Sequence, residues 1–155
     1  MNTTLNGWAI DLKRFSVFLR EKYNVSVAYY FIGAKNDTKK SLYRRIEEAG
    51  FILIFREHAQ GLKSAKKGNV DTDIVFHLMR SIAEKERYNK AVLVSGDGDY
   101  WKTVEYFISK NRFLKLLAPC RKNMSSLYRT KMPDSYCALL DEEATKRKIK
   151  NAGSP

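Results

Sequence analysis

The sequence contains little cysteine and no long apolar run. Its two cysteines, Cys120 and Cys137, lack the spacing of zinc sites or of redox motifs, so we interpret both as buried thiols without a functional role. No stretch approaches the roughly 18 consecutive apolar residues that a membrane-spanning helix needs. The amino terminus also lacks the basic and then apolar order of a signal peptide. These absences predict a cytoplasmic protein that does not associate with a membrane.

The motifs of several protein classes are missing as well. Neither a GxGxxG turn nor a Walker lysine motif is present, which argues against a nucleotide-binding Rossmann protein. The two histidines, His58 and His77, do not pair with a serine or cysteine in a recognisable nucleophile motif, so acyl-transfer chemistry has no support. His77 follows Asp73 by one predicted helical turn and could reach the same crevice. A single histidine on a helix is usually a half-buried bystander, and this is our interpretation of His77.

What the sequence does contain is an excess of positive charge. Lys and Arg number 29 against 17 acidic residues, which gives a formal net charge of +12. An excess of this size predicts a polyanionic partner. Nucleic acid is favoured over a membrane because no basic amphipathic helix with a broad apolar face stands out, and because tyrosine and phenylalanine are plentiful for stacking on bases. A charge that serves only solubility is the alternative.

Helical and strand patterns alternate along a chain of 155 residues, which is long enough for one hydrophobic core. Strands are predicted over residues 25–32, 51–55, 91–94 and 113–118. Helices are predicted over residues 11–23, 71–87 and 100–110, with one more helix ahead of Gly50. Asp37 or Thr38 is expected to cap the second helix, which Gly50 ends. Such alternation predicts an α/β fold with a mainly parallel sheet, in which ligands bind at the carboxyl ends of the strands.

Two basic segments flank or interrupt this pattern. Residues 56–69 are polar and basic, a composition that suits a mobile loop beside a polyanion better than a packed element. Residues 144–155 are rich in Lys, Arg, Asn and Gly and are predicted to form a solvated, flexible tail. We therefore expect one domain over residues 1–143, followed by the tail.

The segment Ser95-Gly96-Asp97-Gly98-Asp99 lies where a predicted strand turns into a helix. Its glycines allow a tight turn, so both carboxylates can face the crevice at the strand ends. Glycine-rich turns at helix starts often receive phosphate, but two Asp residues would repel a bare phosphate. A divalent cation would allow the two Asp residues and a phosphate to share this turn. Mg²⁺ or Mn²⁺ takes carboxylate ligands and promotes phosphodiester cleavage. The alternative is a capped turn with a structural role.

A second acidic pair, Asp71 and Asp73, begins the helix that follows the basic loop. Acidic side chains are favoured at a helix amino terminus by its dipole, so this pair taken alone is more typical of capping than of catalysis. Residues two apart in a helix point roughly 200° apart, so both cannot face one ion unless one lies outside the helix. We favour Asp71 for the site, with Asp73 second.

Taken together, these motifs resemble the NYN domain, which belongs to the PIN-like nuclease group. The matching segments are KGNVDTD at residues 67–73, AVLVSGDGDY at 91–100, YYFIG at 29–33, EAGF at 48–51 and SSL at 125–127. They span nearly the whole chain. The resemblance implies a PIN-like, Rossmannoid three-layer sandwich, an acidic pocket that binds Mg²⁺ or Mn²⁺, and cleavage of RNA.

The sequence departs from the family in two ways. Domains of this family begin with a strand that ends in a metal-binding Asp, whereas this chain starts at Met1-Asn2-Thr3-Thr4, so we expect that strand and its carboxylate to be absent. Loss of a central strand would leave neighbouring strand edges unpaired and makes a homodimer one possible outcome. In addition, His77 stands where many relatives have another Asp, and His suits Mg²⁺ poorly.

The sequence therefore predicts a metal-dependent ribonuclease. The expected metal ligands are Asp71, Asp97 and Asp99, with Asp73 as a further catalytic candidate. The expected contacts to RNA are Lys63, Lys66, Lys67, Ser95 and Lys102. Single-stranded RNA is favoured, with DNA as an alternative. The alternative function is a non-catalytic RNA-binding or scaffold module with a degenerate site.

Overall fold

A computed structural model describes residues 4–5, 7–33, 35–56 and 70–152 of the chain. Within these ranges the strands are β1 (Thr4–Leu5), β2 (Trp8–Ala9), β3 (Tyr29–Ile32), β4 (Ile52–Phe55), β5 (Ala91–Leu93), β6 (Phe113–Ala118) and β7 (Cys137–Leu139). The helices are α1 (Leu12–Tyr23), α2 (Lys40–Glu48), α3 (Val70–Ala83), α4 (Trp101–Ser109), α5 (Ser126–Lys131) and α6 (Glu143–Ile149). In this part of the chain, no helix is both long enough and apolar enough to cross a membrane.

The longer strands form two parallel sheets. In the first, β3 pairs with β4, with Tyr29 opposite Ile52 and Ile32 opposite Phe55. In the second, β6 lies between β5 and β7, and both pairs are parallel. The short strands β1 and β2 pair in antiparallel orientation. The predicted α/β fold with mainly parallel strands is therefore confirmed, with the parallel strands divided between two sheets.

One layer of helices packs against one face of the strands. The apolar face of α1 is buried at helical spacing, as predicted, through Leu12, Phe15, Phe18 and Leu19. Ile46 of α2 and Ile149 of α6 are fully buried in the same cluster, which also includes Leu117 of β6. Each such side chain contributes roughly 1.5–3 kcal/mol when it is removed from water.

A second cluster covers the opposite face. It joins Leu116 of β6 to Val104 and Phe107 of α4 and to Tyr128 of α5, all of which are at most 1% exposed. Partly buried side chains of α3, including Leu78, pack against this cluster. The helices therefore lie on both sides of the strands, as expected for a three-layer sandwich. The amino termini of α3 and α4 lie beside each other at the carboxyl end of β5.

The predicted flexible tail is wrong for residues 144–152. These residues contain most of α6, in which Thr145 is 4% exposed and Ile149 is fully buried. The backbone N–H of Asp11 donates to Ile149 O at 2.9 Å, and that of Asn151 donates to Ala9 O at 2.9 Å. The basic composition of this segment predicts a solvated tail, although the short helix buries one apolar side chain in the core. Residues 153–155 lie outside the described residues.

The predicted helix boundaries also need small corrections. The residue that caps the turn before α2 is Asn36, whose side chain accepts from Thr38 N at 2.9 Å. Gly50 ends this helical segment with φ +92°, as predicted. At the start of α3, Val70 already belongs to the helix, so Asp71 lies inside the first turn and not at the capping position. Its carboxylate accepts a hydrogen bond from the Tyr100 hydroxyl.

Candidate metal centre

The acidic turn, defined here as residues 95–99, follows β5 and carries two acidic side chains. Asp97 N donates to Ser95 Oγ at 3.0 Å, and Asp99 N donates to Asp97 Oδ1 at 3.0 Å. Asp97 keeps extended backbone angles as the cap of a 3₁₀ turn, while Asp99 lies inside that turn. Because the two residues have different backbone conformations, both carboxylates lie on the exposed side of the same turn.

The glycines of the acidic turn are needed for a close approach. A Cβ on Gly96 would lie within 3.0 Å of the Asn123 carbonyl group, and a Cβ on Gly98 would lie within 3.0 Å of the Ser125 side chain. Ser125 N donates to Gly96 O at 2.8 Å. The sequence interpretation, based on turn conformation alone, missed this packing. The loop after β6 therefore fixes the position of the acidic turn.

Asp71 reaches the same place from α3. Carboxylate oxygens of Asp71, Asp97 and Asp99 all lie within 4.8 Å of one another. The Tyr100 hydroxyl donates to Asp71 Oδ1, and Tyr100 itself is only 3% exposed. Burial, then the hydrogen bond and charge of Asp71, raise the pKa of Tyr100 far above its usual value of 10.0. Tyr100 therefore stays protonated and holds the first turn of α3 against the acidic turn.

A second buried tyrosine supports the acidic turn from α5. The Tyr128 hydroxyl donates to Asp97 O at 2.6 Å, and its ring makes an edge contact with Trp101. Burial, followed by the charge of Asp97, raises the pKa of Tyr128 well above 10.0. Neither tyrosine was predicted from the sequence, because an aromatic residue in a helix gives no sign of where its hydroxyl points.

The donor set of this cluster suits a hard divalent cation. Like charges about 4 Å apart repel by roughly 1 kcal/mol in water and roughly 4 kcal/mol at an effective dielectric constant of about 20. A cation among Asp71, Asp97 and Asp99 would relieve this repulsion. Carboxylate oxygens are the ligands that Mg²⁺ and Mn²⁺ prefer, so the residues present fit the metal that the family resemblance implies.

Asp73 and His77 lie on another side of α3. Asp73 Oδ2 is 3.4 Å from Arg56 Nη1, and Asp73 is not part of the carboxylate cluster. The His77 ring packs against Tyr29 and Phe31, with centroid distances of 4.5 and 5.4 Å. Burial, and then the charge of Arg80, lower the pKa of His77 below its usual value. The structure therefore brings three of the four predicted catalytic carboxylates together and leaves Asp73 apart.

The predicted contacts to RNA fall into three groups. Ser95 is at the site, where its hydroxyl accepts from Asp97 N. Lys102 is exposed on α4 and pairs with Glu105 at 3.4 Å. The remaining predicted contacts, Lys63, Lys66 and Lys67, lie outside the described residues.

An open cleft with a volume of about 600 Å³ adjoins the carboxylates. Its lining consists of Gly96, Asp97, Gly98, Asp99, Lys122, Asn123, Met124, Ser125 and Leu127. Residues 122–125, which we call the cleft loop, form the wall beside the acidic turn. They were not predicted as site residues. The rule that ligands bind at the carboxyl ends of parallel strands would have indicated them, because they follow the predicted strand 113–118.

The parallel strands, the helices on both faces and the acidic cluster at the strand ends define a PIN-like, nuclease-type domain. The family model that matches is that of the NYN domain, over residues 1–132, and the chain belongs to this family. The resemblance found in the sequence is thus confirmed.

The chain is also similar to the low amplitude and bright protein LabA of Synechococcus elongatus. The two are 23% identical over 122 residues, which cover 73% of this chain and 64% of the relative. The chain therefore spans less than two thirds of that relative's length. No solved structure gives a significant match.

Proposed function

We propose that this chain is a divalent-metal-dependent ribonuclease. The observation that carries the proposal is the convergence of Asp71, Asp97 and Asp99, whose oxygens lie within 4.8 Å of one another. Two further properties support it: the chain belongs to the NYN family, and its formal net charge of +12 favours a polyanionic substrate.

In this proposal, hydrogen bonds orient two of the three carboxylates. The Asp97 carboxylate accepts from Asp99 N, which also holds the backbone of Asp99, and the Asp71 carboxylate accepts from the buried Tyr100 hydroxyl. The three side chains would hold Mg²⁺ or Mn²⁺, which supplies charge stabilisation at the phosphodiester and at the departing oxygen. Asp97 and Asp99 are exposed and can also accept hydrogen bonds from the attacking water.

The cleft is the proposed place of the RNA strand. It is open and polar on the carboxylate side, so an extended backbone can enter without passing through the core. We propose Ser95 and Lys102, together with Lys63, Lys66 and Lys67, as contacts that guide the strand by attracting its phosphates. Single-stranded RNA is the preferred substrate in this proposal, since its bases are unpaired and free to contact protein groups.

Cleavage of labelled single-stranded RNA tests the proposal. The reaction is run with Mn²⁺, with Mg²⁺ and with EDTA, using the wild-type chain, Asp97→Asn and Asp134→Asn. Asp134 is a matched control because it is exposed and precedes β7, at the opposite end of the strands from the cluster. We expect cleavage with metal in the wild-type chain and in the control, and loss of cleavage in EDTA and in Asp97→Asn. Equal cleavage by Asp97→Asn and the wild-type chain would rule out the assignment.

The second candidate function is a non-catalytic RNA-binding module. Two observations favour it: Asp73 is paired with Arg56, and His77 packs among aromatic rings, so neither adds to the three carboxylates. A binding module would retain RNA in the same experiment but would cut none of it under any metal condition.

A further inference from the structure

We propose that the cleft loop, residues 122–125, is the nucleotide-binding wall of the site, with Lys122 binding a backbone phosphate next to the one that is cleaved. This inference rests on the proposed ribonuclease function and assigns the place of the substrate. The basis is that Lys122, Asp97 and Asp99 line one cleft. Because Lys122 shares this cleft with the carboxylates, its ammonium can hold one phosphate of a strand whose neighbouring phosphate lies at the carboxylates.

The cleft loop is held in a fixed position relative to the carboxylates. Ser125 N donates to Gly96 O at 2.8 Å, and a side chain on Gly96 would collide with Asn123. Within the loop, Met124 is 8% exposed and its N–H donates to Arg121 O at 3.4 Å. Because the loop packs directly on the acidic turn, Lys122 starts from a backbone position that is fixed with respect to Asp97.

The charge of Lys122 is available to a ligand. Its side chain is exposed, and it forms no ion pair within the described part of the chain. Lys102, by contrast, pairs with Glu105 at 3.4 Å. A lysine ammonium binds phosphate as a mobile point charge, which suits a flexible single strand. Lys122 is therefore better placed than Lys102 to neutralise a phosphate at the cleft.

The rest of the wall suits the sugar and base of one nucleotide. Leu127 and Met124 add apolar surface to the cleft, while the exposed Asn123 side chain offers both a donor and an acceptor. An unpaired base can pack on apolar side chains and form hydrogen bonds through its edge. Such a combination favours a single-stranded nucleotide over a base-paired one.

Salt-dependent RNA binding tests this inference without relying on catalysis. Affinity for labelled single-stranded RNA is measured in EDTA at several salt concentrations, for the wild-type chain, Lys122→Ala, Lys122→Arg and Lys110→Ala. Lys110 is a matched control, an exposed lysine at the far end of α4 whose ammonium lies over the Tyr106 ring. Each phosphate contact to a single strand contributes about −0.7 to the slope of log K against log salt.

We expect Lys122→Ala to make the slope shallower by about 0.7 and to weaken binding roughly three- to tenfold. Lys122→Arg should restore both values, because it keeps the charge, and Lys110→Ala should match the wild-type chain. If Lys122→Ala binds like the wild-type chain while the latter still cleaves RNA, the inference is wrong and the ribonuclease proposal stands. If the wild-type chain neither binds nor cleaves RNA, both fail together.

Discussion

Two pairs of aspartates with the same spacing end in different arrangements. Asp97 and Asp99 lie side by side, because one caps a 3₁₀ turn and the other lies within it. Asp71 and Asp73 both lie inside α3, where residues two apart point roughly 200° apart. Asp71 therefore joins the cluster, while Asp73 pairs with Arg56. Two carboxylates that lie two residues apart therefore share a site only when the backbone between them leaves the helical conformation.

The two regions also differ in what holds them. Asp71 belongs to a helix of 14 residues whose backbone is fixed locally. The acidic turn has two local hydrogen bonds but depends further on the cleft loop, which lies more than twenty residues later in the chain, and on the Tyr128 hydroxyl. We therefore expect the turn to respond to changes in distant residues, whereas the backbone of α3 responds mainly to changes within itself and the Asp71 side chain depends on Tyr100.

The largest expected effect separates the two aspartates of α3. Asp71→Asn should lower metal-dependent RNA cleavage by about a thousandfold, equivalent to the several kcal/mol that a metal ion contributes at a transition state. Asp73→Asn should stay within about threefold of the wild-type rate, because it removes a partly exposed ion pair worth roughly 1 kcal/mol or less. Steady-state cleavage rates measure both. Equal losses of cleavage in the two variants would contradict the claim that Asp71, and not Asp73, belongs to the site.

The next effect concerns the dependence of the acidic turn on the cleft loop. Gly96→Ala should lower the free energy of unfolding by roughly 3 kcal/mol, because its Cβ would collide with the Asn123 backbone. Gly33→Ala is a control, since a Cβ there would meet Val70 Cγ2 at 4.0 Å, an ordinary contact. Urea unfolding of the two variants gives the comparison. A Gly96→Ala chain as stable as the control would show that the cleft loop moves to accommodate the added Cβ.

Tyr100→Phe tests the connection between the two regions. Loss of its hydroxyl frees Asp71 to move, and removing a partner of a metal ligand typically weakens metal binding by about 10- to 100-fold. Tyr43→Phe removes another buried tyrosine hydroxyl, which accepts from Asn36 N at 3.0 Å and has no contact with the cluster. Mn²⁺ titration followed by electron paramagnetic resonance should show weaker binding in Tyr100→Phe alone. Similar binding in all three chains would remove any positioning role for Tyr100.

The smallest effect is a pH dependence on the Asp73 side of α3. Burial lowers the pKa of His77, so the folded chain binds fewer protons at this site than the unfolded chain. The stability due to neutral His77 is present above its unfolded pKa and is lost as the pH falls through the folded value. His77→Phe should therefore flatten the dependence of unfolding free energy on pH between about 7 and 5. Parallel curves for the variant and the wild-type chain would contradict this.

Much of the fold could be predicted from local pattern. The spacing of apolar residues gave α1, and the apolar run 113–118 gave β6 with the correct bounds. The strand predicted from residue 25 begins only at Tyr29, because the apolar composition before it does not reflect pairing: Val27 is 51% exposed. The end of the chain was assigned wrongly because the burial of Ile149 depends on α1, which is distant in sequence.

For the site, sequence could identify the carboxylates but not their surroundings. Asp97 and Asp99 follow from the motif of the turn, whereas helix geometry indicates only that one of Asp71 and Asp73 can join them. The cleft loop could have been found from its place after the predicted strand 113–118, but the contacts of the two tyrosine hydroxyls could not be predicted, because they join segments far apart in the chain. Lys122 becomes a candidate because the cleft loop packs on the acidic turn.

Direct Mn²⁺ binding is the measurement that tests the central claim, that Asp71, Asp97 and Asp99 form one metal site. Electron paramagnetic resonance would follow Mn²⁺ titration into the wild-type chain, into the Asn variant of each of these residues, and into Asp73→Asn. We predict saturable binding of at least about one ion per chain. Each of the three substitutions should weaken this binding at least about tenfold, and Asp73→Asn should leave it unchanged. Absence of saturable binding, or equal weakening by Asp73→Asn, would contradict the claim.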